Sequence, residues 1–158
     1  MSRFNRTNPA PIVKGGYGAF RPYVRDDFER CCAYCYLHER YAGGEEGFQL
    51  DHFYPKDPAL FPARGNDFYN LYWTCMPCNR KKWNQWPPYQ VLDHGICFVD
   101  LCNDDFDQHY RLRTDGKLEP LTPSAAYTIA AIRLNREHLV KIRSLLLKQN
   151  RALDQEPG

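Results

Sequence analysis

The segments FQLDHFYPK (residues 48–56) and YNLYWTCMPCNRKK (residues 69–82) decide how this chain is read. In the first, apolar and polar residues alternate from Phe48 to Phe53, the pattern of a short half-buried strand. On a period of two, Phe48, Leu50 and His52 share one face while Gln49 and Asp51 share the other. Pro55 and Pro58 end that strand, and residues 54–68 form a loop around Arg64-Gly65-Asn66. Asn70-Leu71-Tyr72-Trp73-Thr74 is rich in aromatic and β-favouring residues and predicts a second strand. A short helix is expected from about Asn79 to Gln85, stopped by Pro87-Pro88. The order is therefore strand, loop, strand, helix.

Two CxxC pairs bracket this unit: Cys32-Ala33-Tyr34-Cys35 and Cys75-Met76-Pro77-Cys78. A CxxC turn sets two sulfurs about a metal's width apart, and two such turns complete the four-thiolate tetrahedron of a closed structural zinc site. Cys31 adjoins Cys32, so a Cys31-x3-Cys35 pairing is an alternative, of poorer spacing. Cys97 and Cys102 have no matching second pair and read as ordinary buried or partly exposed thiols. Seven cysteines without a secretory leader point to metal binding in a reducing, cytoplasmic compartment rather than to disulfides. No apolar run approaches the roughly 20 residues of a membrane helix, so no membrane partner is expected.

Between the cysteine pairs lie residues suited to phosphodiester hydrolysis, which requires deprotonating a water, neutralising the phosphate and stabilising the leaving oxygen. His52 is the natural general base, because imidazole titrates near neutral pH. Asp51 offers a hard oxygen ligand for Mg²⁺ or Mn²⁺. Neighbouring strand residues point to opposite faces, so Asp51 and His52 can serve one phosphate only where the strand ends. Arg80, Lys81 and Lys82 on the short helix are candidate phosphate contacts, although such a run alone is usually a solvated face.

Taken in this order, the cysteine pairs, Asp51-His52, Asn70 and Asn79 resemble the HNH endonucleases, the ββα-metal nucleases with a treble-clef-like core and a four-cysteine zinc site. The resemblance is specific over roughly residues 30–82. It implies an α+β fold and a metal-dependent endonuclease acting on nucleic acid, DNA in the first instance, leaving a 5′-phosphate and a 3′-hydroxyl. It implies that Asn70 orients His52, and that Asn79, standing where many members have a final histidine, joins Asp51 in holding the catalytic Mg²⁺ or Mn²⁺. Lys82 matches a frequent basic position. More loosely, His109, Gly116, Leu134-Asn135-Arg136 and Arg143 look similar to HNH proteins of bacterial anti-phage systems, including Septu- and retron-linked ones. That implies a role in antiviral defence beside an ATPase or another protein that delivers the substrate.

At 158 residues with 43% hydrophobic content, the chain can bury a core and is not disordered. A net charge of +2 does not mark a nucleic-acid binder by itself. Residues 1–21 read as a basic arm, and Arg3, Arg6, Lys14, Arg21 and Arg25 are either solvated or phosphate-binding. Residues 22–88 are the nuclease core, entered by a helix over Tyr23 to Arg30. Residues 89–158 are an extension of the same domain: a strand over Ile96–Leu101, a hairpin about Asp115-Gly116, a helix from a Thr122 cap to about Arg133, a break at Asn135, and an amphipathic helix over 136–150. Residues 152–158 are expected to fray. Tyr69, Tyr72, Trp73, Trp83 and Trp86 read most simply as core aromatics. The alternative function is a non-catalytic zinc-knuckle module that binds nucleic acid or a partner.

Overall fold

The computed structural model describes residues 4–57 and 59–153, with side chains described to residue 150. It mixes helices with two small antiparallel sheets, an α+β arrangement. Helix α1 (Arg21–Asp27) opens on Arg21 and Pro22, proline being suited to a first turn because its missing N–H is not needed there. It buries Val24 and ends near Phe28. Strand β1 (Phe48–His52) pairs with β2 (Leu71–Cys75) in the register Phe48↔Cys75 to His52↔Leu71. Every residue of β2 is buried. Helix α2 (Met76–Lys82) starts directly from β2, with Cys75 as its N-cap residue, so the helix begins three residues before the sequence expectation.

Short helices α3 (Tyr89–Leu92) and α4 (Phe106–His109) flank the segment expected to be a strand at Ile96–Leu101. That segment is extended but joins no ladder. Its N–H groups turn to side chains instead: Cys97 to Ser124 Oγ at 3.3 Å and Val99 to Thr128 Oγ1 at 3.0 Å. Ser124 and Thr128 both lie on helix α5 (Pro123–Ile132), which therefore takes the place of a partner strand. The hairpin β3 (Tyr110–Leu112) and β4 (Leu118–Pro120) forms as expected. Gly116 in its turn has φ +86°, and a Cβ there would run into the backbone of helix α6 (Glu137–Leu153) at Val140 and Ser144. Thr122 caps α5 by accepting from the Ala125 N–H. Asn135 clamps β4, bonding both the N–H and the carbonyl of Leu118 at 2.8 Å. Of the fraying expected over 152–158, residues 152 and 153 are instead the end of α6, and residues 154–158, like Arg3, lie outside the described residues.

The basic arm is tied into the fold at Phe4, Arg6 and Arg21, while Lys14 is exposed. Phe4 is buried against Phe28, their centroids 4.6 Å apart. Arg6 donates to Asp27 at 3.0 Å and to the Phe68 and Leu71 carbonyls, while its guanidinium lies 4.7 Å from the Phe68 ring. Arg21 sits 4.6 Å from the Trp73 ring. Arg25 pairs with Glu39, Nη2 to Oε1 at 2.5 Å and Nε to Oε2 at 3.0 Å, tying the linker after the first cysteine pair to α1. These arginines are spent on the fold, not presented to phosphates.

Arg25 holds the Glu39 carboxyl below its ordinary value of 4.5. A depressed native value stabilises the fold above the unfolded value and loses that stabilisation as pH falls through the native one. Glu39→Gln should therefore cost about 1–2 kcal/mol at pH 7, as a lost charge-assisted bidentate pair does. Denaturant melts of the two proteins should converge as the pH is lowered below 4. A gap that persists unchanged at pH 3 would count against the ion pair as the cause.

Candidate active site and metal centre

Cys32, Cys35, Cys75 and Cys78 converge, all buried, with their sulfurs within 4.8 Å of one another. The Cys35 and Cys75 sulfurs are 3.8 Å apart. A tetrahedron with Zn–S bonds of about 2.3 Å has edges of about 3.8 Å, so the cluster has the dimensions of a four-thiolate site. These cysteines can hold a metal ion such as zinc. Cys31 stands outside the cluster, its thiol donating to the Glu29 carbonyl at 3.5 Å. The Ala33 N–H donates to the Trp73 carbonyl at 2.8 Å, which ties the first knuckle to β2. Hydrogen bonds from Cys32, Cys35 and Cys78 pull the Cys75 thiol far below its usual range, whereas burial raises Cys32. Arg136 reaches in from the C-terminal region, Nη2 lying 3.3 Å from the Cys78 sulfur and 4.0 Å from the Cys75 sulfur. Burial works against the Arg136 charge, yet the thiolates outweigh it and raise its pKa. Arg143 next to it donates to the Gly116 and Leu134 carbonyls, securing the hairpin turn and the end of α5.

Along β1 and α2, a cavity of about 460 Å³ is lined by Asp51, His52, Asn79 and Arg80 together with Tyr17, Gln49, Lys56 and Trp83. The structure thus places Asp51, His52, Asn79 and Arg80 around one cavity. His52 is the last residue of β1 and is 7% exposed. Its Nε2 lies 2.8 Å from the Gly65 carbonyl. A carbonyl only accepts, so in the neutral ring Nε2 carries the proton and Nδ1 keeps its lone pair. Burial lowers the His52 pKa, with Lys56 and Lys82 acting in the same direction against the Gly65 bond, which favours the neutral ring near pH 7. The Tyr17 ring meets the imidazole edge-on at 4.8 Å, and Lys56 Nζ sits 4.0 Å from the Tyr17 centroid.

Asn70 does not touch His52 directly. It is 1% exposed, and its amide donates to the Tyr54 and Arg64 carbonyls, both at 3.0 Å, and accepts from the Tyr54 N–H at 2.8 Å. Asn70 therefore closes the loop whose next residue, Gly65, orients His52. Asp51 is buried under the hairpin, accepting from the Tyr34 hydroxyl at 2.7 Å. Burial raises its carboxyl to about 6, against the opposing pull of Lys82 and then of the Tyr34 hydrogen bond. Lys82 is the cation that most favours the Asp51 carboxylate, while burial lowers the Lys82 pKa in turn.

Lys82 departs from its expected role. It is fully buried, with Nζ 3.3 Å from the His52 carbonyl. It serves the interior charge of Asp51 and does not face a phosphate. Arg80 is exposed and Lys81 half-buried, because a helix step of about 100° per residue turns the three cations in different directions. Asn79 donates to Gln49 Oε1 at 2.8 Å, leaving its own Oδ1 outside that bond. Among the described residues the four cysteines are the only group of three or more His, Cys, Asp or Glu able to hold a metal ion. His109 Nδ1 bonds Thr122 Oγ1 at 2.7 Å, a structural contact, and His38 accepts from Arg40. His94 and His138 are exposed. Sequence reasoning missed Tyr17, Tyr34, Lys56 and Gly65, which are chosen by tertiary contact and carry no spacing signal. No protein-family model and no curated protein matches the chain.

Metal analysis should find about one zinc per chain, lost together with the fold in Cys75→Ser and retained in Cys31→Ser. Arg136→Ala should release zinc to a chelator severalfold faster while remaining folded. Lys82→Met removes the cation that opposes burial of the Asp51 charge, so the Asp51 carboxyl should titrate at higher pH and the variant should lose stability as the pH rises past neutrality. Adding Asp51→Asn should recover much of that loss. A double variant as unstable as Lys82→Met alone would refute the pairing.

Proposed function

We propose that this protein is a metal-dependent endonuclease that hydrolyses phosphodiester bonds of nucleic acid, DNA in the first instance. The observation that carries the reading is His52: its Nε2 is held on the Gly65 carbonyl, in the same cavity as Asp51, Asn79 and Arg80. The order of these residues between the cysteine pairs, with its resemblance to HNH endonucleases, supports it further.

Asp51 and Asn79, which line the cavity with His52, are the residues that would hold Mg²⁺ or Mn²⁺, hard ions that take few protein oxygens and keep several waters. When bound, such an ion supplies charge neutralisation at the phosphate and at the leaving oxygen. His52 Nδ1 accepts the proton of the attacking water. The hydroxide displaces the 3′-oxygen, which takes a proton from solvent, giving a 5′-phosphate and a 3′-hydroxyl, and His52 returns its proton to solvent. Arg80 and Lys56 bind phosphate oxygens at the rim. Asn70 positions His52 by closing the loop that carries Gly65. Lys81, half-buried on the same helix, contacts the flanking backbone. By the same resemblance the nuclease is an effector of antiviral defence, with an ATPase or similar partner bringing the nucleic acid to it.

Incubating plasmid with the wild type and added Mg²⁺ or Mn²⁺ tests the reading. His52→Ala should lower the cleavage rate by about 10²–10⁴ with zinc content and melting temperature maintained. Equal cleavage by the variant removes His52 as the base. Absence of His52-dependent cleavage on any nucleic acid, with binding retained, would leave the non-catalytic zinc-knuckle module as the function.

A further inference from the structure

Trp83 breaks two local rules at once. It is 70% exposed, the second most exposed of the large hydrophobic side chains that bear a ring, after Tyr89 at 75%. It also has φ +44° and ψ −138° at the end of α2, in backbone space that favours glycine. The turn is fixed by the Trp83 N–H, which donates to the Asn79 carbonyl at 2.7 Å. Among the described residues, no ring or cation is stacked on the indole. Yet Trp83 lines the cavity that contains His52, together with Tyr17, Lys56 and Arg80. A strained backbone and a solvated indole at one position are costs that core packing does not explain, and such outliers gather at functional sites. The sequence reading of Trp83 as a core aromatic fails here.

An exposed ring beside cations is the recurring surface for unpaired bases: the cations track the backbone and the ring stacks on a base face. In a duplex the base faces are already covered by their neighbours, so this surface rewards a strand whose bases are free. We propose that Trp83 is a stacking platform for an unpaired base, and that the cavity accepts single-stranded or locally melted nucleic acid with the adjacent phosphate at His52. The placement of the phosphate rests on the nuclease reading. The stacking itself does not.

The test uses the full chain carrying His52→Ala, so that nothing is cleaved, and fluorescently labelled oligonucleotides of one sequence as single-stranded DNA, single-stranded RNA and blunt duplex DNA. Adding Trp83→Ala should weaken single-strand binding roughly tenfold or more, while Trp83→Phe keeps most of it and duplex binding changes less than twofold. The DNA and RNA arms show which strand the platform serves. Unchanged single-strand affinity in Trp83→Ala overturns the proposal, as does an equal loss on duplex, a failure of Trp83→Phe to rescue, or no binding of any oligonucleotide. Trp83→Gly, which relieves the backbone, should melt no lower than the parent and still lose single-strand binding. His52-dependent cleavage with Trp83-independent binding would sink the platform and spare the nuclease. Trp83-dependent binding without any cleavage by the wild type would do the reverse.

Discussion

The position of Cys75 constrains the whole arrangement. One residue closes β2, pairs across the ladder with Phe48, caps the start of α2 and contributes a sulfur to the four-cysteine cluster. A two-stranded sheet and a seven-residue helix are marginal by themselves. Four converging thiols add metal affinity to the folding free energy, and they do so at the point where strand becomes helix. The helix direction is then set, and with it the side of the hairpin on which Asn79, Arg80 and Lys82 emerge. Arg136 draws the C-terminal region to the same cysteines, so a metal held there would also favour docking of that region.

At the other end of the same helix, on the buried face it shares with Cys78, a second constraint operates through charge. Lys82 and Asp51 are each buried, an arrangement tolerated because they oppose one another and because Tyr34 and the His52 carbonyl satisfy part of their hydrogen bonding. Tyr34 belongs to the first CxxC turn, so the cysteine cluster and the carboxylate at the cavity are joined through a single side chain. Asp51 and His52 alternate as strand residues should. Both still reach one cavity because the strand ends at His52 and the chain bends at once, with the Phe53 N–H still bonded to the Asn70 carbonyl at 3.0 Å.

What the sequence revealed and what it hid separate along a physical line. Local signals were legible: the period-two run at 48–53, the CxxC spacings, the Thr122 cap and the Asp115-Gly116 turn each act within a few residues. The choice of Cys32 over Cys31 followed from spacing as well. Long-range choices were not legible. Nothing near Lys82 says that its ammonium will be buried on the His52 carbonyl rather than solvated, since that carbonyl lies on a distant strand. Ile96–Leu101 has strand composition, but α5 reached its N–H groups first. Arg6, Arg21 and Arg25 look like a phosphate-binding arm until Asp27, Trp73 and Glu39 are found beside them. Trp83 looked like core because hydrophobicity predicts burial on average and is silent about the single residue held at a strained turn.

The loss of those arginines to the fold changes how nucleic acid would be held. A net charge of +2, with Arg6, Arg21 and Arg25 engaged internally and Lys82 buried, leaves Lys56, Arg80 and Lys81 as the cations near the cavity. Few phosphate contacts release few counterions, so electrostatics alone would give weak binding that fades with salt. Affinity must then come from contact that salt does not screen, and among the residues of this cavity an exposed indole is the strongest source of it. A nuclease built this way would hold free strands better than duplex, and would depend on whatever opens or delivers the strand for access to anything else.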